Sequence, residues 1–457
     1  MALDRNLAAA IAVTRFGLGA KPGELTAARD DPQRWLQAQI RPQGADQPET
    51  PAPNAAARLI EFREYQRQKR AAEMVHQDFD PVKEVRKMII ADAGADFLAR
   101  SQLAATTDAG FRERWTLFWC NHFTVSASKA QVATLVAPFE AEAIRPHVFG
   151  RFEDMLVASS GHPAMLLYLD QAQSVGPDTM AAAYMSRGGK RAGLNENLAR
   201  EIMELHTVGV EAGYTQGDVT EFARAMTGWS IGGLQEPDAG RFRFRPAAHE
   251  QGVRTIMGKT YAQSGAEQAL AVMKDLAASP HTARHVSLKL ARHFVADDPP
   301  PALVARLQRT FQGTHGDLAE LANTLVLAPE AWSPEAQKFK TPYEFLVSAW
   351  RAAGVTPSGL PQLGVLNALG QKPFSAPSPK GWPEEAEVWC APDAVIKRMA
   401  WTQNLAAQSL NGRDPVQMAD DALGARLTPL VATAIRRAET REEGLAILLM
   451  SPEFQRR

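Results

Sequence analysis

Cysteine is scarce in this chain, because its 457 residues include only Cys120 and Cys390. Two cysteines exclude a disulfide-stapled scaffold and a zinc finger built on thiolates. An excess of charge of one sign is also lacking, since 50 basic residues stand against 51 acidic ones and the formal net charge is −1. A protein that binds nucleic acid through electrostatic attraction needs a clear excess of basic residues. The sequence therefore predicts no nucleic-acid partner.

Long hydrophobic runs are missing as well. The apolar stretch over residues 7–13 is too short for a spanning helix, and no later segment reaches about 18 uninterrupted apolar residues. No basic leader of the kind that opens an export signal precedes it. We therefore expect a soluble chain without membrane insertion, cytoplasmic by default, with co-export to the periplasm alongside a partner as the alternative.

Several common catalytic signatures are absent too: the chain has no GxGxxG, Walker, HExxH or CxxC motif. Helical periodicity dominates, for example over residues 109–125, 128–158, 195–208 and 216–227. Only RFRFR, residues 241–245, alternates as a strand, and residues 253–257 are its expected partner. We predict a mainly α fold, with one large multi-helix domain over residues 1–457 and a small β-hairpin insertion around 240–260.

Three stretches interrupt the helical pattern. Residues 48–57 are rich in Pro and Ala and read as a linker, and residues 175–193 read as a long loop. Residues 371–392 combine prolines with Trp382 and Trp389, and they exceed an ordinary connection. We interpret this last stretch as a lid over a polar site. The alternative is a structural clasp that closes the helical bundle.

The densest polar pattern is NENLAREIMELH, residues 195–206. On a helix, Asn197, Glu201 and Glu204 fall at i, i+4 and i+7 and form one stripe beside an apolar one. Two carboxylates that border buried space repel each other and resist ionisation unless a cation compensates. That cation is either a metal or an arginine. In the plain structural alternative, Arg200 and other arginines pair with the two carboxylates.

Histidines supply further candidates. His206 lies about 200° around a regular helix from Glu204, so it reaches the same site only if the helix loosens before Gly209. His122 lies among the aromatic residues of WTLFWCNHF, either as a satisfied core histidine or as a rigid metal ligand. His249 directly follows the alternating strand, a common position for site residues, although a surface histidine is the plain alternative.

Two weaker signals complete the set. Asp170 ends the apolar run MLLYLD, where its plain role is that of a helix terminus. His281 and His285 have helical i, i+4 spacing but lie among Arg284, Lys289 and Arg292. We interpret that segment as a basic, anion-binding face.

In chain order, RFGLG, FWCNHF, HPAMLLYLD, NENLAREIMELHTVGVEAGYTQGDV, ARAMTGW, KFKTPYEF and GWP resemble the bacterial domain-of-unknown-function 1800 family. The resemblance covers about residues 8–454 and is most specific over residues 195–229. It implies relatives and not a reaction. By position, it singles out His122, Asp170, Asn197, Arg200, Glu201, Glu204, His206, Trp229 and His249.

The chain also departs from the family pattern. Members of the family often have His-Asn-His where this chain has Cys120-Asn121-His122, His-Asp where it has His249-Glu250, and Asp-Asn where it has Asp170-Gln171. Such changes would alter the softness or reach of a ligand set. Genes of the family often lie beside those of an exported, sulfatase-like family, which suggests a partner protein.

These observations predict an enzyme with a divalent metal, iron or manganese before zinc. The expected ligands are His122, Glu201, His249 and Asp170, and the expected catalytic groups are Glu204, His206 and Arg200. Oxidative chemistry is the first interpretation, because an aromatic shell excludes water. Hydrolysis by metal-activated water is the second. A non-enzymatic helper of the exported sulfatase-like protein is the alternative from another class.

Overall fold

Helices dominate the protein, and the computed structural model describes residues 3–49, 53–74, 81–189, 193–359, 364–409 and 413–457. The first α-helices span Arg5–Ile11, Glu24–Arg29, Pro32–Gln37, Ala55–Met74, Pro81–Thr106, Gly110–His122, Ala130–Ala133, Val136–Phe139, Phe152–Gly161, Pro163–Tyr168, Met180–Arg187 and Asn197–Glu201. The later ones span Gln216–Ala225, Ala266–Ala278, Pro280–Phe294, Pro301–Gly313, Leu318–Leu327, Pro342–Ala353, Val365–Ala368, Ala386–Trp389, Pro392–Ser409, Pro415–Leu423, Pro429–Arg436, Arg441–Met450 and Pro452–Gln455. The mainly α prediction is confirmed.

Other helical turns connect these elements. Wider π-helical turns span Ala12–Phe16, Glu140–Ile144 and Ile202–His206. Tighter 3-10 turns span Gln171–Gln173, Val210–Ala212, Pro246–Ala248, Pro329–Trp332 and Gly424–Arg426. None of the helices in the described ranges combines the length and apolarity needed to cross a bilayer.

One contiguous apolar core holds the helices together. Its buried side chains run from Ile11 near one end of the sequence to Phe454 near the other. Trp115 and Trp119 are fully buried members of it and lie on the helix Gly110–His122. Because this helix is anchored in the core along its length, its last residue, His122, is also held in the interior.

Two short antiparallel hairpins form the β part. The strand β1 (Trp229–Ile231) pairs with β2 (Phe242–Phe244), and β3 (Arg254–Ile256) pairs with β4 (Lys259–Tyr261). A small β insertion is therefore confirmed, but the predicted pairing of residues 241–245 with 253–257 is wrong. The φ angles of Met257 and Gly258 are 48° and 77°. Two left-handed residues in succession make the tight turn that pairs β3 with its immediate neighbour.

The prediction of one helix over residues 128–158 is wrong in detail. The chain forms two short helices and a π-helical turn that ends at Ile144, and a new helix begins at Phe152. Pro146 has no backbone N–H to donate, so a continuous helix through this position is disfavoured.

The predicted loop over residues 175–193 contains a helix, Met180–Arg187. Thr179 caps it, because its Oγ1 accepts a hydrogen bond from the backbone N–H of Ala182 at 3.2 Å. Residues 190–192 lie outside the described residues, as do residues 50–52 of the predicted linker. A helix already begins at Ala55, so the linker prediction does not hold for residues 55–57.

Candidate functional site

Two histidines from distant parts of the sequence meet in the core. His122 ends the helix Gly110–His122, and His206 ends the π-helical turn Ile202–His206. Their ring centroids are 6.1 Å apart, and each residue is only 1 % exposed. From the sequence, we expect His206 to join a site only if the helix loosens before Gly209. The π-helical turn Ile202–His206 provides that loosening.

Aromatic rings enclose His122. Its ring centroid lies 6.0 Å from that of Phe118, 5.4 Å from Trp119, 4.6 Å from Phe123 and 6.3 Å from Phe152. Rings packed this closely fix the orientation of the imidazole and leave it in a dry, apolar surrounding.

A third histidine, His285, joins them from the helix Pro280–Phe294. Its ring centroid lies 6.3 Å from that of His122. The sequence prediction grouped it with His281 on a basic face, but His281 is exposed at the first turn of this helix. The signal that could have found it is the i, i+4, i+8 stripe of His285, Lys289 and His293. We call His122, His206 and His285 the imidazole cluster.

Backbone carbonyls orient two of these rings. His122 Nε2 donates to the carbonyl oxygen of His206 at 3.1 Å, and His285 Nε2 donates to that of Leu205 at 3.0 Å. A carbonyl can only accept, so Nε2 carries the hydrogen in both rings and Nδ1 keeps a lone pair in the neutral form. Within the described residues, His122 Nδ1 and both ring nitrogens of His206 are buried without a hydrogen-bond partner.

All three imidazoles are neutral at physiological pH. Burial, followed by the positive charge of Lys289, lowers the pKa of His206 to about 3 and that of His285 to about 4. The same two causes hold the pKa of His122 well below its ordinary value. The cluster therefore offers uncharged nitrogen lone pairs in an apolar setting.

Glu201 and Glu204 form a second group, which we call the carboxylate pair. Both side chains are half-buried, and Glu204 Oε2 accepts a hydrogen bond from the Tyr214 hydroxyl at 3.3 Å. Burial and then the charge of Glu204 raise the pKa of Glu201. In the described residues, the carboxylate pair makes no hydrogen bond or ion pair with the imidazole cluster.

Arg200 does not neutralise the carboxylate pair. Its Nη2 donates to Glu196 at 3.2 Å and to Gln216 at 2.7 Å. Neither Glu201 nor Glu204 has an ion-pair partner in the part of the chain that the structure describes. The structural alternative, in which Arg200 pairs with these two carboxylates, is wrong.

His249 lies in a different environment. Its Nδ1 donates to the Thr227 carbonyl oxygen at 3.0 Å, and burial lowers its pKa. The neighbouring Glu250 pairs with Arg224 and, at 3.4 Å, with Arg254. The His249 imidazole is thus held just after the end of the helix Gln216–Ala225. The Glu250 carboxylate bridges this helix and the start of β3.

Asp170 lies at the surface. Its backbone is left-handed, with φ at 59°, and its side chain is 46 % exposed and pairs with Lys129 at 2.7 Å. No hydrogen bond, ion pair or ring contact in the described ranges connects Asp170, Glu201 or His249 to the imidazole cluster. Nor do three His, Cys, Asp or Glu side chains of these ranges already stand in metal-binding geometry. The expected ligand set is therefore not assembled as one group.

The long loop over residues 371–392 contacts the end of the helix Gly110–His122. The Trp382 N–H donates to Asn121 Oδ1 at 2.7 Å, and Asn121 Nδ2 donates to the Trp382 carbonyl at 3.0 Å. Gly381 has φ at +89°, and a Cβ there would lie 2.6 Å from the Asn121 carbonyl oxygen. The loop is thus fixed to the residue that precedes His122. Its role as a lid stays a prediction.

Comparison with protein families adds one finding, whereas comparison with curated proteins and with solved structures gives no match. The model of the family described as "Protein of unknown function (DUF1800)" matches residues 11–456. That range contains the imidazole cluster, the carboxylate pair and the long loop. It covers almost all of the chain, and so this protein belongs to the DUF1800 family.

Proposed function

We propose that the protein is a metal-dependent enzyme whose divalent metal is held by imidazole nitrogens of His122, His206 and His285. One observation carries the proposal: three neutral imidazoles converge in the core, and three of their nitrogens are buried without a partner. A buried polar atom without a partner costs about 1–3 kcal/mol. A bound metal would remove that cost for the nitrogens that ligate it.

The donor set fits such a metal. A ligating histidine commonly donates its other N–H to a backbone carbonyl or a carboxylate, as His122 and His285 do to carbonyls. Lowered pKa values reduce the competition between protons and the metal for the lone pairs. Imidazole suits iron, zinc and copper better than magnesium, calcium or manganese. For a set of imidazoles alone we therefore place iron first, zinc second and manganese third.

When bound, such a metal would supply redox chemistry or an activated water, and we favour the oxidative reaction over hydrolysis. The aromatic residues around His122 would keep bulk water away from the reacting centre. His206 moves from the catalytic group to the ligand set in this proposal. Asp170, Glu201 and His249 leave the ligand set, because each is engaged or placed elsewhere.

The carboxylate pair and Arg200 keep a role near the outer side of the helix. Glu201 has a raised pKa and no ion-pair partner in the described ranges, so it is suited to accepting or giving a proton. Glu204 and Arg200 would orient polar groups of a substrate there.

Metal content is the decisive measurement. The protein is produced without a histidine tag and without chelators, in medium supplemented with iron, manganese and zinc, and its metals are counted by inductively coupled plasma mass spectrometry. We expect close to one metal per chain. His122→Gln and His206→Gln should each lower the metal affinity by at least tenfold, since each removes a ligand.

Two control variants interpret that result. His281→Gln changes an exposed histidine of the same helix as His285 and should keep the metal. The double variant Glu201→Gln/Glu204→Gln should also keep it. If the double variant loses the metal while His122→Gln and His206→Gln retain it, the imidazole cluster is the wrong site. A wild-type protein without metal after this preparation contradicts the proposal altogether.

The helper interpretation has one supporting observation. Met180 and Tyr184 are 78 % and 79 % exposed, and they lie one turn apart on the helix Met180–Arg187. Exposed apolar side chains on one helix face are typical of protein contact sites. A partner such as the exported sulfatase-like protein would cover this face, and co-export would follow from that contact.

Co-purification of the two proteins tests the helper interpretation. We expect Met180→Asp/Tyr184→Asp to abolish capture of the sulfatase-like protein while leaving the metal content unchanged. As a control, Leu327→Asp alters a single exposed apolar residue, 44 % exposed, on another helix. If the double variant still captures the sulfatase-like protein, there is no contact at this face. The same conclusion follows if Leu327→Asp reduces the capture as much as the double variant does.

A further inference from the structure

A partly open cavity of about 110 Å³ lies between the helix Gly110–His122 and the long loop. Arg100, Arg114, Glu140, Glu344 and His293 line it, together with Phe374 and Glu384 of the loop. One water needs only ~10–15 Å³ of such volume, so the cavity has room for a small organic molecule. It has no part in the proposed metal site: His293 lies eight residues after His285, roughly 12 Å along the same helix.

One end of the cavity carries a histidine–carboxylate dyad. His293 Nδ1 lies 2.9 Å from Glu384 Oε1 and 3.0 Å from Oε2. Burial alone would raise the pKa of Glu384, but His293 and Lys338 lower it to about 2. Burial lowers the pKa of His293 despite the carboxylate. The dyad is therefore an ionised Glu384 that accepts from Nδ1–H of a neutral imidazole.

The other nitrogen of this imidazole is free. His293 is 7 % exposed, and its Nε2 is buried without a partner in the described ranges. Because Nδ1 holds the hydrogen, Nε2 presents a lone pair. Such a lone pair calls for a ligand that donates a hydrogen bond.

Two arginines of the cavity lining carry unused donors. Arg114 Nη1 donates to the Gly17 carbonyl at 2.8 Å and Nη2 to Glu344, while its Nε is buried without a partner in the described ranges. Arg100 Nη1 donates to Glu140 at 2.9 Å, and its Nε is likewise buried and unpartnered there. Two such guanidinium N–H groups call for an acceptor, and they bind an anionic oxygen best.

The carboxylates beside these arginines are already paired. Glu344 Oε1 accepts from Arg114 and also from Arg457 Nη2, at 3.0 Å, and Glu140 Oε1 accepts from Arg100 at 2.9 Å. Guanidinium groups therefore neutralise both carboxylates, which reduces their repulsion of an anion in the cavity.

We propose that this cavity binds a small hydroxycarboxylate. Its carboxylate accepts from the Nε–H groups of Arg100 and Arg114, and its hydroxyl donates to His293 Nε2. Each unpartnered polar atom then has a partner of matching chemistry. Phe374, whose ring lies 5.6 Å below the Arg100 guanidinium, supplies an apolar surface for the carbon atoms. The long loop acts here as the cover of a ligand site.

Calorimetric titration with three probes of nearly equal size tests the proposal. Sodium glycolate has both groups, sodium acetate lacks the hydroxyl, and glycolamide lacks the negative charge. After long equilibration, we expect one glycolate per chain, acetate to bind several-fold more weakly, and glycolamide at least tenfold more weakly. Equal binding of glycolate and glycolamide, or no glycolate binding at all, overturns the proposal.

Variants locate the probe. His293→Gln should bind glycolate and acetate with equal affinity, because it removes the lone pair that distinguishes them. His281→Gln, on the exposed turn of the same helix, should keep the wild-type preference. If His293→Gln folds and still prefers glycolate, the assignment of the hydroxyl to His293 is wrong.

Two measurements on the wild-type protein remain informative even if a variant fails to fold. Crystals grown with glycolate should show the probe between Arg114 and His293, and a probe found elsewhere overturns the proposal. Glycolate affinity should be the same with and without a chelator. Affinity that the chelator abolishes assigns the carboxylate to a bound metal and overturns the cavity site, whereas loss of the metal with unchanged glycolate binding contradicts neither proposal.

Discussion

The two sides of the 197–206 segment differ sharply although they come from the same ten residues. On the inner side, His206 is 1 % exposed, uncharged and surrounded by His122, His285 and aromatic rings. On the outer side, Glu201 and Glu204 are half-buried and interact with each other and with Tyr214. The inner side is a dry donor set, and the outer side is a solvated pair of acids.

The difference teaches how one segment serves two kinds of chemistry. The π-helical turn Ile202–His206 widens the helix at its end, and His122 and His285 cap the carbonyls of His206 and Leu205 there. These imidazoles therefore replace hydrogen bonds that a helix end leaves open. In both rings Nε2 makes the hydrogen bond to the carbonyl, so the metal binding that we propose would use the opposite nitrogen, Nδ1.

Charge placed on each side should have the largest effect. His122→Asp puts a carboxylate among closely packed aromatic rings, and we expect it to lower the free energy of unfolding by about 3–5 kcal/mol. Glu204→Gln on the outer side should change it by less than about 0.5 kcal/mol. Urea denaturation followed by circular dichroism measures both. Equal losses would show that the two sides are not physically different.

Acid should act on the two sides with opposite signs. In metal-free protein at pH 5, folded His206 stays neutral, while in the unfolded chain it binds a proton below about pH 6.5. The unfolded state thus binds more protons, and stability falls as pH falls from 7 to 5, by about 2 kcal/mol for this residue. Unfolding of His206→Gln should have a correspondingly shallower pH dependence.

For Glu201 the sign reverses. Its raised pKa means that the folded state binds the proton more tightly than the unfolded chain, so protonation of Glu201 stabilises the fold as pH falls through the raised pKa. Glu201→Gln should therefore gain stability near neutral pH and lose that advantage in acid. If the free energy of unfolding of Glu201→Gln has the same pH dependence as that of His206→Gln, acid does not act on the two sides with opposite signs.

Two glycines offer a matched test of the inner side. Gly209 has φ at +79°, and a Cβ there would lie 2.8 Å from His285 Nδ1. Gly213 has φ at +77°, and a Cβ there would meet nothing within 4 Å. We expect Gly213→Ala to cost about 1 kcal/mol from backbone strain alone. Gly209→Ala should cost at least about 1 kcal/mol more, because the added methyl displaces His285.

Metal affinity sharpens the glycine comparison. Gly209→Ala should weaken metal binding, whereas Gly213→Ala should leave it as in the wild type. Identical metal affinity in both variants would exclude His285 from the ligand set, and His122 and His206 would then carry it.

Arg200 should show the smallest effect. Its ion pair with Glu196 is largely open to solvent, with side-chain exposures of 36 % and 29 %, so screening by salt keeps its contribution low. We expect Arg200→Met to lower the free energy of unfolding by less than about 1 kcal/mol in urea denaturation and to leave the metal content unchanged. A loss of several kcal/mol would mean that Arg200 supports the carboxylate pair after all.

Local patterns predicted part of the fold and part of the site. Asp4 and Asp31 cap the helices that follow them, a role typical of an Asp directly before a helix. The polar stripe of Glu201 and Glu204 and the burial of His122 among aromatic residues are likewise readable from spacing. The strand partners could not be predicted in this way, because alternation identifies a strand but carries no information on which neighbour it pairs with.

The grouping of the site residues also escaped the sequence. His285 and His293 lie among basic residues, and nothing local shows that they turn towards His122 and Glu384. Glu384 lies 91 positions from His293, so only the path of the long loop brings the two together. Conversely, Asp170 and His249 look like site residues locally, but ion pairs and backbone contacts engage them elsewhere.

By itself, the sequence determined that this protein is mainly helical, that it belongs to the DUF1800 family, and that its 195–206 segment carries three acids and a histidine. Those properties rest on composition, periodicity and residue order, all of which are local. Only the tertiary structure decided which histidines share a dry interior, which carboxylates stay in contact with water, and which residues the long loop covers. Burial sets the charge state of these groups, and burial depends on packing between segments that are far apart in the chain.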